Sequence, residues 1–150
     1  DGGTIFGYQV TDPERYGVVD LDERGRVQAL VEKPVKPSSN YAVTGLYFLD
    51  NTASERAKAV RPSARGELEI VSLLESYLAE GRLGLETLGR GFAWLDTGTY
   101  DALLDANNFV RTLATRQGMQ SGSPEEIAWR QGWIDDAAHY GAYLKSLLAD

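Results

Sequence analysis

The sequence predicts an α/β fold in which a sheet forms early in the chain and helices follow. Short apolar and β-branched runs, separated by glycine and charged residues, occupy much of the first fifty residues. From about residue 67 onward, apolar residues recur at helical spacing and alternate with further strand-like runs. Strands and helices mixed in this order favour a layered α/β fold with a helical tail.

Strands are predicted where short apolar or β-branched runs are bounded by turn residues. These runs are residues 4–10, 17–21, 27–32, 41–49, 83–88 and 92–96. A few polar residues that include Gly25 separate the second run from the third, which indicates a hairpin with Gly25 at positive φ. The first strand begins almost at the first residue, so we expect the chain to be cut from a longer protein.

Helices are predicted at residues 67–80 and 99–116, from residue 124 onward, and at residues 135–148. Gly81 and Gly118 follow the first two as stop signals, and Thr99 is a candidate N-cap. Ser123, followed by Pro124 and two glutamates, has the pattern of a capping box, in which a Glu reaches back to the free amides.

The composition excludes several classes of function. The 150 residues are 43% hydrophobic and 25% charged with a formal net charge of −7, which is typical of a globular protein without a basic face for nucleic acid or anionic membranes. There is no cysteine and His139 is the only histidine, so disulfides, thiolate catalysis and a Ser-His-Asp triad are excluded. No apolar run is long enough to span a bilayer. These features suit a cytoplasmic location.

Two cations are candidates for binding a phosphate. Lys33 follows Glu32 and precedes Pro34, which is expected to hold the chain extended as it leaves the strand. Arg65 lies before a predicted helix, where Gly66 allows close approach to the backbone and the helix start favours an anion. An Arg fork and a Lys point charge together suit a phosphate. From the residues alone, two solvated surface charges are the alternative.

Asp96 is the candidate metal ligand, because it ends an apolar run and precedes a Thr-Gly-Thr turn and a helix. Mg²⁺ takes hard oxygen ligands and usually binds one or two carboxylates together with phosphate and water. An Asp that closes a turn is the alternative, and spacing alone offers no second acid. Glu32 could accept hydrogen bonds from sugar hydroxyls, and Gly17 could let a sugar lie against the backbone. An edge-strand charge and a strand-entry glycine are their alternatives.

A further cation, Arg90, lies between Gly89 and Gly91. The flanking glycines suggest access for a ligand, and a surface turn is the alternative. Glu126 and Arg130 are four residues apart on the predicted tail helix, where the default expectation is a surface ion pair.

Several segments, in order, resemble those of the bacterial glucose-1-phosphate thymidylyltransferases (dTDP-glucose pyrophosphorylases). They are residues 16–19, Glu32-Lys33-Pro34, 40–48, Arg65-Gly66-Glu67-Leu68-Glu69-Ile70, Gly89-Arg90-Gly91, 94–99 and Pro124-Glu125-Glu126-Ile127-Ala128. The resemblance is expected to cover only the C-terminal half of that family. It implies part of a nucleotidyltransferase (Rossmann-like) mixed-sheet fold. Residues 1–118 would be the acceptor-sugar half of that domain, without its N-terminal nucleotide-binding half, and residues 119–150 a helical tail for oligomer contacts and regulation.

The resemblance implies a role for each candidate residue. Glucose would be lined by Tyr16, Gly17, Glu32 and Val43. Its phosphate would be held by Lys33 and Arg65, and Asp96 would be one of two aspartates that bind Mg²⁺. Lys33, Arg65 and Asp96 would act in catalysis by positioning and by neutralising charge, because the sugar phosphate attacks the α-phosphorus of dTTP in line. The products would be dTDP-glucose and pyrophosphate, in dTDP-rhamnose biosynthesis.

The family also has a second nucleotide-sugar site, used for feedback inhibition by dTDP-rhamnose and located near subunit contacts of a homotetramer. By resemblance, its residues here would be Arg90, Glu126, Ile127 and Arg130.

The family's glycine-rich loop G-x-G-T-R-L-x-P, which cradles the triphosphate, and the motif of its other metal aspartate do not occur in this sequence. We therefore expect the chain alone to be inactive. Three alternatives remain open. They are a nucleotidyltransferase that uses UTP, ATP or CTP, a non-catalytic module that binds a sugar phosphate or nucleotide sugar, and a purely structural assembly domain.

Overall fold

The structure is a computed structural model that describes residues 2–118 and 121–135. Its first ninety residues contain a mixed β-sheet of five strands. The strands are β1 (Gly3–Gln9), β2 (Gly17–Leu21), β3 (Val27–Glu32), β4 (Tyr41–Leu49) and β5 (Leu83–Leu88). Their order in the sheet is β3-β2-β4-β1-β5. Five of the six predicted strands therefore form within two residues of their predicted bounds.

The β2–β3 hairpin and the two partners of β1 explain this order. β2 and β3 pair antiparallel, and Gly25 in the turn between them has a φ of 75°, as predicted. β1 lies inside the sheet, where it pairs antiparallel with β4 and parallel with β5. Gly3 consequently lies opposite both Leu49 and Leu83, which are distant from it in sequence.

The helices in the described residues are α1 (Ala53–Ala59), α2 (Ile70–Ala79), α3 (Tyr100–Gln117) and α4 (Pro124–Arg130). The apolar side of α2 packs on one face of the sheet, and Leu74 and Tyr77 have no exposed surface. Burying such side chains is the main favourable term in folding. The buried residues of this core are Ile5, Val19, Leu30, Val43, Val71, Leu73, Leu74 and Tyr77. The predicted α/β fold is confirmed.

The helix predicted at residues 67–80 begins later than expected. Glu67 is still in a loop, where its carbonyl accepts a hydrogen bond from the Ser63 amide at 2.8 Å, and α2 starts only at Ile70. Leu68 is 69% exposed and does not belong to the apolar side of the helix. In the loop, the Glu67 carbonyl thus accepts from Ser63 instead of from an amide of a helix that starts at residue 67.

The strand predicted at residues 92–96 is wrong, because these residues pair with no strand. Side chains hold this segment instead. Tyr8 Oη donates a hydrogen bond to the Phe92 carbonyl at 3.1 Å, and the Trp94 ring contacts Tyr16 edge-on at 5.0 Å between centroids. Helix α1 was not predicted, since it buries no residue and so carries no apolar periodicity.

The predicted N-caps Thr99 and Ser123 and the predicted stop at Gly118 are confirmed, and the Glu that was expected to reach back to the free amides stays a prediction. Thr99 Oγ1 accepts from the Ala102 amide at 3.2 Å, and Gly118 ends α3 with a φ of 66°. Ser123 Oγ accepts from the Glu126 amide at 3.4 Å at the start of α4. The helix predicted at residues 135–148 falls, apart from residue 135, outside the described residues.

The chain divides into two compact units, Asp1–Trp94 and Leu95–Asp150. The sheet, α1 and α2 belong to the first unit, and α3 and α4 belong to the second. The predicted functional division after residue 118 stays a prediction.

Candidate functional site

A groove in the first unit lies between the end of β3 and the loop that precedes α2. It has a volume of about 430 Å³. It brings together Glu32 and Arg65, two predicted site residues that are distant in sequence. Its lining consists of Leu30, Val31, Glu32, Ser63, Ala64, Arg65, Glu69, Val71, Ser72 and Glu75.

Gly17 makes room for the Glu32 carboxylate. The two residues lie opposite each other in the β2–β3 ladder. A Cβ atom at Gly17 would lie 3.1 Å from Glu32 Oε2 and 3.2 Å from Val71 Cγ2, which is tighter than ordinary contact. Val43 lies beneath, 7% exposed, at 4.0 Å from the same position. The glycine thus lets the carboxylate lie against the strand above the core.

Lys33 leaves the strand in an unusual backbone conformation. Its φ is 44°, so the expectation that Pro34 holds this residue extended is wrong. The Lys33 amide donates to the Tyr16 carbonyl at 3.0 Å, which continues the β2–β3 ladder by one bond and fixes the turn. Lys33 Nζ lies 4.0 Å from Glu32 Oε1, with the Lys33 side chain 48% exposed. The ammonium group is therefore beside Glu32 and accessible to a ligand.

Arg65 reaches the same carboxylate from the loop that precedes α2. Its Nη1 lies 3.8 Å from Glu32 Oε1, and its side chain is 42% exposed. The backbone around it is a tight turn in which the Gly66 amide donates to the Ser63 carbonyl at 2.9 Å and Gly66 has a φ of 78°. This turn directs the guanidinium toward β3 rather than away from it. Both cations therefore lie within 4.0 Å of the same Glu32 oxygen, and their binding of a phosphate stays a prediction.

The electrostatics of Glu32 reflect this crowding. Partial burial raises the pKa of the Glu32 carboxyl, and the neighbouring Glu69 carboxylate raises it further. Lys33 and Arg65 act in the opposite sense on the same pKa. A partly desolvated carboxylate between two cations is suited to accept hydrogen bonds from hydroxyl groups.

Four other predicted substrate residues lie nearby but do not line the groove, namely Tyr16, Gly17, Lys33 and Val43. Tyr16 contacts Trp94 by its ring edge, and the Arg15 guanidinium lies 5.3 Å from its ring centroid. Val43 is part of the buried core. The structure therefore does not bring the Tyr16 ring or the Val43 side chain into the groove.

Asp96 closes a turn in the second unit. Its Oδ1 accepts from the Gly98 amide at 3.3 Å, which is the turn role that spacing alone allowed. In the described part of the chain, no cluster of three or more His, Cys, Asp or Glu residues could hold a metal ion. A carboxylate oxygen suits Mg²⁺, but Asp96 supplies one ligand group, and further ligands would have to come from phosphate oxygens, water or other protein groups.

The predicted regulatory residues are divided between the two units. Arg90 is exposed beside a cleft of about 230 Å³ that Tyr8, Tyr41 and Gly89 also line. In the second unit, Arg130 Nε donates to Glu126 Oε1 at 2.7 Å, and Ile127 is 48% exposed. The ion pair expected by default on this helix is therefore present.

Sequence reasoning missed two residues of the groove, Ser63 and Glu69. Ser63 Oγ donates to Glu69 Oε1 at 3.0 Å, and Glu69 Oε1 lies 3.5 Å from Arg65 Nη1. The available signal was an acid four residues after Arg65, but it was interpreted as part of a helix face. Because α2 starts one residue after Glu69, this side chain belongs to the groove.

Comparisons with known proteins agree on the family. The model of the nucleotidyl transferase family matches residues 1–112. The chain is 60% identical to glucose-1-phosphate thymidylyltransferase of Xanthomonas campestris pv. campestris (strain B100), over 97% of this chain and 53% of the relative. It is 53% identical to the protein of the same name from Mycobacterium tuberculosis (strain CDC 1551 / Oshkosh), over 98% and 55%. The chain thus spans about half the length of these relatives.

Solved structures support the fold. A provisionally assigned glucose-1-phosphate thymidylyltransferase from Bacillus anthracis, in complex with a sucrose, superposes with a TM-score of 0.66 at 39% identity, covering 74% of this chain and 44% of that chain. A UDP-glucose pyrophosphorylase complexed with UDP-glucose has a TM-score of 0.64 at 24% identity, covering the same shares of the two chains, and shows the fold alone.

One prediction about the resemblance is corrected. Its restriction to the C-terminal half of the thymidylyltransferase family is wrong on this comparison, because the nucleotidyl transferase model matches this chain from residue 1 to residue 112. That restriction is not retained. The chain is a homologue of glucose-1-phosphate thymidylyltransferases and belongs to the nucleotidyl transferase family.

Proposed function

We propose that the groove beside β3 binds the acceptor substrate of a nucleotidyl transfer, a sugar 1-phosphate with glucose 1-phosphate as its first candidate. The observation that carries this proposal is the convergence of Lys33 and Arg65 on Glu32, at 4.0 Å and 3.8 Å respectively. The two cations would hold the phosphate. Glu32 would accept hydrogen bonds from sugar hydroxyls, while Gly17 leaves space for the ring.

The proposed reaction is thymidylyl transfer from dTTP. An oxygen of the sugar phosphate forms a bond to the α-phosphorus, the bond from that phosphorus to the bridging oxygen of the β-phosphate breaks, and pyrophosphate leaves. The transition state carries several negative charges, so positioning and charge neutralisation by Lys33 and Arg65 are the chemistry required of this groove. No nucleophilic side chain is needed.

Mg²⁺ is part of the same proposal, with Asp96 as one of its carboxylate ligands. When bound, it would neutralise charge on the transferring phosphoryl group. A regulatory nucleotide-sugar site at Arg90, Glu126, Ile127 and Arg130, with dTDP-rhamnose as inhibitor, is likewise proposed for the whole protein. A homotetramer and a cytoplasmic location stay predictions. Among the described residues, no helix has the length and apolarity to cross a membrane.

Calorimetric titration with glucose 1-phosphate tests the binding proposal. We expect saturable binding by this chain and a loss of about tenfold or more in Arg65→Ala, as for removal of a charge-assisted phosphate contact. Arg61→Ala is the matched control, since Arg61 is exposed in the same segment but does not line the groove. Binding that is absent, or equally weakened by both variants, would contradict the proposal.

A second candidate function is a non-catalytic module that binds a sugar phosphate or nucleotide sugar. The observation behind it is that Lys33 and Arg65 beside Glu32 could hold a sugar phosphate without any transfer reaction. We expect no pyrophosphate release above background when this chain is given dTTP, glucose 1-phosphate and Mg²⁺. Turnover would refute that expectation, and repeating the assay with UTP, ATP and CTP would then define base specificity.

A further inference from the structure

The Arg65 guanidinium faces three carboxylates, more than a phosphate site needs. Glu67 Oε2 lies 3.0 Å from Arg65 Nη2, and Glu69 Oε1 and Glu32 Oε1 lie 3.5 Å and 3.8 Å from Nη1. Anionic groups around a cation weaken its attraction for a phosphate, so carboxylates in a phosphate site call for a separate explanation. The three acids therefore need separate roles.

Burial distinguishes these acids. The side chain of Glu67 is 60% exposed, whereas those of Glu32 and Glu69 are 22% and 12% exposed. An exposed ion pair is screened by solvent and is easily displaced. A phosphate can therefore replace Glu67 beside Arg65, but it cannot easily replace Glu69.

Glu69 is also tied to the loop that carries Arg65. The same oxygen, Glu69 Oε1, accepts from Ser63 Oγ at 3.0 Å and lies 3.5 Å from Arg65 Nη1. Ser63 Oγ in turn accepts from the Arg65 amide at 3.2 Å, and the Ser63 amide donates to the Glu67 carbonyl at 2.8 Å. One carboxylate oxygen at the start of α2 thus contacts both the loop and the guanidinium.

We propose that Glu69 is a positioning residue for phosphate binding, and that Glu67 is a counter-ion which the phosphate displaces. Glu69 fixes the Arg65 loop through Ser63 and orients the guanidinium toward the groove, so that the phosphate meets a preorganised donor fork. This inference rests on the proposed function of the groove and adds to it the residue that aligns its arginine.

A double-mutant cycle on the full chain tests this role. Affinity for glucose 1-phosphate is measured by calorimetry in wild type, Glu69→Gln, Arg65→Ala and the double variant. We expect Glu69→Gln to bind several-fold to about tenfold more weakly, and the double variant to bind no more weakly than Arg65→Ala. Glu67→Gln is the matched control and should bind as tightly as wild type or more tightly. Circular dichroism and urea unfolding verify that each variant is folded.

Each outcome decides the inference. Equal affinity in Glu69→Gln and wild type overturns it, as does an additive loss in the double variant, which would mean that Glu69 acts independently of Arg65. If wild type binds no glucose 1-phosphate, the proposed function fails instead. The reaction of Arg65 with phenylglyoxal, followed by peptide mass spectrometry, then tests positioning without a ligand. Faster modification in Glu69→Gln than in wild type supports it, and equal rates overturn it.

Discussion

Replacing Lys33 by glycine and, separately, by alanine should separate the charge of this residue from the strain in its backbone. Both variants lose the ammonium group that lies 4.0 Å from Glu32 Oε1. Only glycine adopts a φ of 44° without steric cost. The two variants should therefore lose the same affinity for glucose 1-phosphate but differ in stability.

The expected magnitudes follow from the geometry. A left-handed conformation costs an L-residue about 1–2 kcal/mol relative to glycine, and glycine loses about 0.5–1 kcal/mol more backbone entropy on folding than alanine. From the middle of each range, the glycine variant should unfold with a free energy roughly 0.7 kcal/mol higher than the alanine variant. Lys33 is 48% exposed, so its contact with a phosphate belongs at the weak end of charge-assisted bonds. A loss of about tenfold in affinity is expected for both variants.

Urea unfolding gives the stability difference, and calorimetric titration with glucose 1-phosphate gives the affinities. Lys36→Ala is the control, because Lys36 is an exposed lysine three residues further along the chain. An alanine variant as stable as the glycine variant would refute the strain argument. Unchanged affinity in both variants would refute the assignment of Lys33 to the phosphate.

Three further predictions concern buried or crowded polar groups. Burial and Glu69 raise the pKa of Glu32, so the folded state loses stability as the pH rises through that pKa. In urea titrations, the stability of Glu32→Gln relative to wild type should therefore be greater at pH 7 than at pH 4. The affinity of this variant for glucose 1-phosphate should fall. Unchanged affinity would count against Glu32 as a hydroxyl acceptor. Hydrogen bonds from Thr52 and Tyr77, together with Arg82, hold the pKa of Asp50 well below its ordinary 3.8. The stability that the ionised Asp50 provides at neutral pH should be lost as the pH falls below the ordinary pKa of 3.8. The difference in urea midpoint between wild type and Asp50→Asn should therefore shrink between about pH 5 and about pH 2. A constant difference would show that Asp50 contributes no proton linkage. Among the described residues, Thr44 Oγ1 is buried with no hydrogen-bond partner, so Thr44→Val should raise the free energy of unfolding by about 1 kcal/mol. A lower unfolding midpoint would mean that the hydroxyl has a partner.

The sheet was predictable because its strands carry strong local signals. β2 and β3 are short apolar runs joined by a turn that needs Gly25, so propensity and turn chemistry agree. The segment at residues 92–96 has an equally apolar pattern but finds no ladder partner, because Tyr8, Tyr16 and Trp94 hold it through side chains. A pattern along the chain cannot distinguish these two situations.

The site was predictable in its residues but not in its arrangement. Lys33 and Arg65 were identified from their places in motifs, whereas their distances to Glu32 depend on tertiary contacts that no local pattern encodes. Glu69 was missed because its role depends on where α2 begins, and helix ends are the least certain part of a sequence reading. The positive φ of Lys33 was missed for a different reason. The residue before a proline is ordinarily extended, and nothing in the local sequence indicates an exception here.

The position of β1 between β4 and β5 has a consequence for how the chain folds during synthesis. β1 must wait for β4 on one side and for β5 on the other, and the second partner ends only at Leu88. Closing such a long loop is entropically costly, and sequence-distant pairing slows folding. The β2–β3 hairpin, whose partners are close in sequence, can form much sooner. Until the β5 segment has left the ribosome, the edge of β1 that pairs with β5 lacks that partner, and an unpaired strand edge is a site that chaperones protect.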